Sequence, residues 1–283
     1  GFRYDERLVK EIKRFVGAGY NPENKEWHIP FTLPTVAPLQ KWLHDNGFVE
    51  GMNYYPSKRV LEYQKPPVII TPEDVAIACK ELGFKRMPRP YQCEGIAYMI
   101  NHGNCINGDD CGLGKTGQTI ATLELMDAFP ALVITPASVK YNWKKEWEKW
   151  NPTRTVGVVG RKKKFNENVW QNDVIIINYD ILGERGLDKP TAKFKELLKK
   201  RWASCVMDEI HFLKSEKALR TKMAKKIVKT VPHVWGLTGT LTQNKPADLI
   251  QPFTIIRRFE DIFGSTKEFK YRYCNAKMTH FGM

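Results

Sequence analysis

Apolar and polar positions divide the chain into two parts with different rhythms. In the first, Leu8, Ile12, Phe15 and Val16 share one face of a helix predicted from Asp5 to Val16, which Gly17 ends. Residues 20–30 predict two short strands around the Asn21-Pro22 turn. A second helix is expected over about 36–46, closed by Gly47. Thr71-Pro72-Glu73-Asp74 opens a third, with an N-cap residue, proline at N1 and acid in the first turn, and Gly83 stops it. The basic, proline-containing stretch from Lys85 to Pro90 reads as a linker. Beyond it, strand-like apolar runs at Ala131–Thr135, Val174–Asn178, Cys205–Met207 and Val234–Leu237 alternate with helical segments. One such segment, 118–128, spaces Ile120, Leu123, Leu125 and Met126 on a helix; another, 194–201, is amphipathic. This alternation predicts an α/β fold, a mostly parallel sheet with flanking helices that binds ligands at the carboxyl ends of its strands. The expected organisation is a small α+β module over 1–84, the sheet domain over 85–255 and a helical segment over 256–283.

Charge sharpens this picture. The chain has a formal net charge of +14 over 283 residues. Residues 1–88 carry 13 basic against 11 acidic side chains, so +12 resides in the remainder. A positive excess concentrated in the sheet domain points to a polyanionic partner, most simply nucleic acid, although a basic face also serves solubility. No apolar run approaches the roughly 18 residues of a membrane span, and no secretory leader pattern opens the chain. The six cysteines, Cys79, Cys93, Cys105, Cys111, Cys205 and Cys274, form no C-x-x-C pair. They read as reduced thiols rather than a zinc site or a disulfide framework.

The densest chemistry lies in Asn107-Gly-Asp-Asp-Cys-Gly-Leu-Gly-Lys-Thr116. A glycine-rich turn between a strand and a helix aims successive backbone N–H groups, and the positive end of the helix dipole, at a phosphate. Lys115 is then placed for the β- and γ-phosphates and the Thr116 hydroxyl for Mg²⁺. The strict pattern has glycine six residues before the lysine, where this chain has Asp109. About ninety residues on, Cys205-Val-Met-Asp-Glu-Ile-His211 ends a strand on two acids. There, Asp208 suits Mg²⁺ and Glu209 suits polarisation of an attacking water, though paired acids also cap helices. Leu237-Thr-Gly-Thr-Leu-Thr-Gln-Asn244 is a third, hydroxyl-rich strand end that by itself is an ordinary turn.

Taken together and in order, Arg89-Pro-Tyr-Gln-Cys-Glu-Gly, the Asp109–Thr116 loop, Asp208-Glu-Ile-His and Leu237–Asn244 resemble the Swi/Snf-type helicase-like ATPases of superfamily 2. Val133-Ile-Thr-Pro-Ala-Ser-Val-Lys-Tyr-Asn-Trp143 and Ile175-Ile-Ile-Asn-Tyr179 fit the same series. That family tolerates aspartate at the first position of the loop. His211-Phe-Leu-Lys214, the stretch Arg272–Lys277 and the segment Tyr20–Trp27 resemble the annealing-helicase branch, whose members carry a HARP domain before the motor.

The resemblance implies a RecA-like lobe, ATP and Mg²⁺, and DNA, duplex or branched, as partner. It implies that Gln92 reads adenine. Gly112, Leu113, Gly114, Lys115 and Thr116 would form the phosphate loop, with Thr116 and Asp208 toward the metal and Lys115, Asp208 and Glu209 catalytic. His211, Thr238, Gly239 and Thr240 would couple nucleotide to DNA. Lys140 and Lys144, beside the Pro136–Ser138 turn, are the expected DNA contacts. Gly117 departs from the family's apolar residue, Ser215 from an asparagine and Leu241 from a proline. Glycine in a helix costs about 1 kcal/mol, so Gly117 is expected to loosen the loop. A motor of this type closes its site with a second lobe bearing an arginine finger, and the ~43 residues after Thr240 are too few for one. The chain is therefore expected to be the N-terminal half of a monomeric, non-secreted protein with no membrane partner, cytoplasmic or nucleoid-associated, or nuclear if eukaryotic. Two other classes fit parts of the pattern: a non-catalytic DNA-junction module with a relic loop, and a phosphotransferase acting on a small acceptor.

Overall fold

A computed structural model describes residues 5–14, 18–23, 25–28, 39, 41–48, 69–151, 153–160, 167–184, 195–240 and 245–275. The chain divides into two compact units, Gly1–Ile69 and Ile70–Met283. In the first, helix α1 (Glu6–Ile12) is capped by Asp5, whose carboxylate accepts from the N–H groups of Arg7 and Leu8. Strands β1 (Gly19–Asn21) and β2 (Glu26–His28) form an antiparallel hairpin that sets Tyr20 opposite Trp27. Residues 41–45 are helical and Gly47 follows at φ +69°. Trp42 joins this segment to α1, its indole donating to Glu11 Oε2 at 2.7 Å. Phe15, Val16 and Gly17, the predicted end of the first helix, lie outside the described residues, as does Leu241.

The second unit begins with α2 (Pro72–Glu81), which has a complete capping box between Thr71 and Asp74. The sequence placed this helix in the first module. The structure places it in the second unit, because Val75 and Cys79 are fully buried in one core with Ile96, Met99, Ile120, Leu123 and Trp147. The Lys85–Pro90 stretch is likewise no free linker: the Lys85 N–H donates to the Trp150 carbonyl at 3.0 Å. Helix α3 (Pro90–His102) follows and leads into the first strand of the large sheet.

That sheet has six strands, all parallel: β3 (Cys105–Asn107), β4 (Ala131–Thr135), β5 (Val156–Val158), β6 (Val174–Asn178), β7 (Ser204–Asp208) and β8 (His233–Leu237). Their order is β3-β8-β7-β4-β6-β5. Central strands β4 and β6 are buried at every position, since one core covers each face of the sheet. Leu132, Ile134, Ile175 and Ile177 point into one core, and Ala131, Val133, Val174 and Ile176 into the other. Burial on both sides is why these strands read as unbroken apolar runs. Helices α4 (Lys115–Leu125) and α5 (Lys140–Trp150) share the second core, where α5 sets Trp143, Trp147 and Trp150 on one face. Tyr179–Leu182 forms α6 and Leu219–Val228 forms α8, both on the opposite face. The helix expected over 194–201 is a single turn, α7 (Glu196–Lys199). The closing helices α9 (Ile250–Ile255), α10 (Phe259–Phe263) and α11 (Thr266–Tyr273) gather around Phe253, Phe259, Phe263 and Phe269. Ring centroids in that group lie 5.0–5.4 Å apart, the spacing of edge-to-face aromatic pairs.

Candidate functional site

The sheet's register assembles the predicted motifs. Asn107, Leu237 and Asp208 are neighbours across β3, β8 and β7, and Thr135 ends β4 beside them. The phosphate loop, the hydroxyl-rich turn and the paired acids therefore leave the sheet side by side at its carboxyl edge. That edge is where parallel sheets bind ligands.

Gly112 and Gly114 adopt φ +89° and +79°, left-handed conformations that glycine enters without steric penalty. Gly114 caps α4 with no side-chain hydrogen bond, so no capping side chain occupies the N-terminal end of that helix. Behind the loop stands a buried amide network. Gln118, fully buried, accepts from Asn107 Nδ2 at 2.9 Å and donates to Asp109 Oδ2 at 2.8 Å. The Asp109 N–H in turn donates to Asn107 Oδ1 at 3.0 Å. Aspartate thus has a function at the position where the strict pattern has glycine: it ties the loop to α4 through Gln118. Gln92, predicted to read adenine, is 7% exposed; its Nε2 donates to the Leu113 carbonyl at 3.1 Å and its Oε1 accepts the Arg89 N–H at 3.0 Å. It braces the loop against the start of α3.

Gly117 corrects an expectation. A Cβ there would overlap the indole of Trp150, which is 2% exposed. The glycine admits a close ring contact and seats the first turn of α4 on α5, which is the opposite of loosening it.

Lys115 Nζ donates to the carbonyls of Asp109 and Asp110 at 2.6 and 3.0 Å. It lies 3.6 Å from the position a Cβ would take on Gly239, and the same position is 2.6 Å from Cys111 Sγ. The loop and the β8 turn are therefore in close approach, and the Thr238 N–H donates to the Asn107 carbonyl at 3.1 Å. Thr116 is half-buried in the first turn of α4, and Leu113 is 39% exposed.

At the acids, Asp208 Oδ2 accepts from Thr135 Oγ1 at 2.9 Å and from Trp143 Nε1 at 2.8 Å. The Asp208 carbonyl accepts from the Tyr179 hydroxyl at 2.7 Å. Burial, reinforced by the negative charge of Asp208, pushes the Tyr179 phenol well above its usual pKa, so it remains a donor. Glu209 sits at φ +52°, a left-handed backbone that costs a side-chain-bearing residue about 1–3 kcal/mol and is concentrated at functional sites. Its Oε2 lies 3.2 Å from His211 Nδ1, which is 3.0 Å from Thr238 Oγ1. The Thr240 N–H also reaches Thr238 Oγ1, at 3.1 Å. The predicted acids and coupling residues are thus linked in one chain from β7 to β8.

The two expected DNA lysines differ. Lys140 Nζ donates to the Val159 carbonyl at 3.1 Å, so its ammonium has an internal acceptor. Lys144 is half-exposed on α5. Sequence reasoning missed Gln118, Asn107, Thr135 and Trp143 as site residues; three of these contacts cross 11, 73 and 65 positions, which no local pattern reports.

Comparison with known proteins agrees with this geometry. The model of the SNF2-related domain matches residues 91–279. SWI/SNF-related matrix-associated actin-dependent regulator of chromatin subfamily A-like protein 1 is 29% identical in Drosophila melanogaster and 32% identical in Xenopus laevis. Each alignment covers 99% of this chain, but 35% and 28% of the relative. Human DNA annealing helicase and endonuclease ZRANB3 is 30% identical over 68% of this chain and 18% of its own length. The chain spans about a third or less of these relatives. Among solved structures, the Sulfolobus solfataricus SWI2/SNF2 ATPase core in complex with dsDNA aligns with TM-score 0.56 and 30% identity, over 68% of this chain and 40% of that one. With its six-stranded parallel RecA-like sheet and this ordered set of motifs, the chain belongs to the SNF2-related family.

Proposed function

We propose that this chain is the nucleotide-binding part of an ATP-dependent DNA translocase of the annealing-helicase type, active on duplex or branched DNA in the nucleus or nucleoid. The observation that carries the reading is the convergence, at one sheet edge, of the phosphate loop, the Asp208–Glu209 pair and the Thr238–Thr240 turn. Left-handed Gly112 and Gly114, the uncapped first turn of α4 and the half-buried Thr116 fit a triphosphate tail. Asp208 fits Mg²⁺: both of its side-chain donors share Oδ2, and no described residue hydrogen-bonds Oδ1. Bound Mg²⁺ would neutralise charge on the phosphate oxygens. Lys115 exchanges the Asp109 and Asp110 carbonyls for phosphate oxygens, and Glu209, oriented by His211, polarises the attacking water. The His211–Thr238 bond then carries the state of that water site to β8.

The family resemblance places the arginine finger on a second lobe, a feature worth ~10³–10⁵ in rate in related phosphoryl-transfer systems. This chain alone is accordingly a weak nucleotide binder and a slow hydrolase. The hairpin and helices of Gly1–Ile69 are read as a HARP-like module on the resemblance of Tyr20–Trp27, and the alignments to two relatives extend over this segment too. The test is DNA-stimulated ATP hydrolysis by the full-length protein. Glu209→Gln abolishes turnover and leaves ATP binding intact; unaltered turnover in that variant would refute the assigned role.

A further inference from the structure

Helix α5 contributes to the site although none of its residues was expected to touch nucleotide. Trp143, 1% exposed, sends its indole N–H into Asp208 Oδ2 at 2.8 Å, and Thr135 Oγ1 reaches the same oxygen at 2.9 Å. A buried tryptophan normally finds some acceptor for its N–H. The acceptor here is a strand-end carboxylate, approached by a helix packed on the far side of β4. Two donors converging on one oxygen fix the carboxylate's rotation. They also withdraw Oδ2 from competition, so that one defined oxygen, Oδ1, remains for a cation. Tyr179, the first residue of α6, immobilises the backbone of the same residue through its hydroxyl.

We infer that Trp143, with Thr135, is the positioning residue for the metal-binding carboxylate Asp208, so that cation affinity at the nucleotide site is set in part by the seating of α5. The inference rests on the assignment of Asp208 to Mg²⁺. Outer-shell donors of this kind orient a ligand that they do not replace, and losing one weakens metal binding ~10–100-fold. Because α5 also carries Lys140 and Lys144, a shift of that helix on a polyanion reaches Asp208 through a single hydrogen bond. The same helix is held at its other end by Trp150 against Gly117, so it touches both the acid and the first turn of the helix that follows the phosphate loop.

The test uses the 283-residue chain and reads binding instead of turnover. A fluorescent ATP analogue is titrated without divalent cation and over a range of Mg²⁺ concentrations, for wild type, Trp143→Phe and Thr135→Val. Trp143→Phe retains an aromatic ring and lacks the N–H; Thr135→Val is nearly isosteric and lacks the hydroxyl. The expected result is an unchanged metal-free affinity with a half-saturating Mg²⁺ concentration raised about tenfold or more in each variant. Should Trp143→Phe fail to fold, Thr135→Val decides. A Mg²⁺ midpoint equal to wild type, or an equal loss of affinity with and without metal, overturns the positioning role. A wild-type chain that binds nucleotide with no response to Mg²⁺ refutes the assignment of Asp208 to the metal, and the inference falls with it.

Discussion

Replacing Gly117 by alanine separates two opposed effects on the phosphate-loop helix. Helix propensity alone favours alanine over glycine by about 1 kcal/mol. The structure opposes it: the added Cβ would overlap the Trp150 ring and lie 2.8 Å from Cη2. Carbon atoms prefer ~3.5–4.0 Å, and because Cζ2 and Cε2 of the ring lie closer still, the indole must retreat by well over an ångström. Trp150 is buried, its N–H is bound to Glu146 Oε2 at 3.3 Å, and its ring carries the Arg86 guanidinium 5.5 Å from the centroid. With so little room to give, the strain belongs near the upper end of the overpacking range, about 3 kcal/mol. The net destabilisation is then about 2 kcal/mol, which for a unit of this size lowers the midpoint by roughly 4–8 °C. Urea unfolding of the sheet-bearing unit measures it, and a double-mutant cycle identifies the cause. In a Trp150→Leu background the clash is gone, and Gly117→Ala becomes stabilising by up to about 1 kcal/mol. A stabilising Gly117→Ala with Trp150 intact would refute the reasoning.

Three other outcomes follow from the structure. Gln118→Leu strands the Asn107 amide and the Asp109 carboxylate, so it costs about 1–3 kcal/mol in chemical unfolding and weakens nucleotide binding; unchanged values for both would contradict the loop-bracing role. Lys144→Ala lowers the slope of log affinity for DNA against log salt by about one phosphate contact, whereas Lys140→Ala, which frees the Val159 carbonyl, acts mainly on stability; the reverse pattern would reassign the contact. Hydrogen bonds from Thr155 hold the Asp173 carboxyl below its usual 3.8, so its contribution is present above that value and is lost as pH falls further. Asp173→Asn therefore flattens the acid limb of the stability profile below about pH 4; an unaltered limb would sink that account.

What the sequence disclosed tracks how locally each feature is encoded. The central strands were legible because burial on both faces leaves no polar position in Val174–Asn178 before its last residue. Strand β5, three residues around Gly157, was not, since an edge strand this short has no period to read. Helix α2 was legible from its N-cap threonine, N1 proline and first-turn acids, but its allegiance to the second unit depends on Val75 and Cys79 meeting side chains far along the chain. In the site, the loop and the paired acids announce themselves because phosphate and metal chemistry dictates contiguous residues. Their supports do not. Trp143 reads as one more core aromatic until its N–H is found on Asp208, and Gly117 as a propensity defect until Trp150 is found beside it.

The central claim is that Lys115 and the Asp208–Glu209 pair serve one triphosphate. Calorimetric titration of the 283-residue chain with ATP, in Mg²⁺ and in chelator, tests it most directly. The account predicts that Lys115→Ala removes binding under both conditions, while Asp208→Asn removes only the Mg²⁺-dependent gain. Wild-type affinity in Lys115→Ala, or a full Mg²⁺ response in Asp208→Asn, would contradict it.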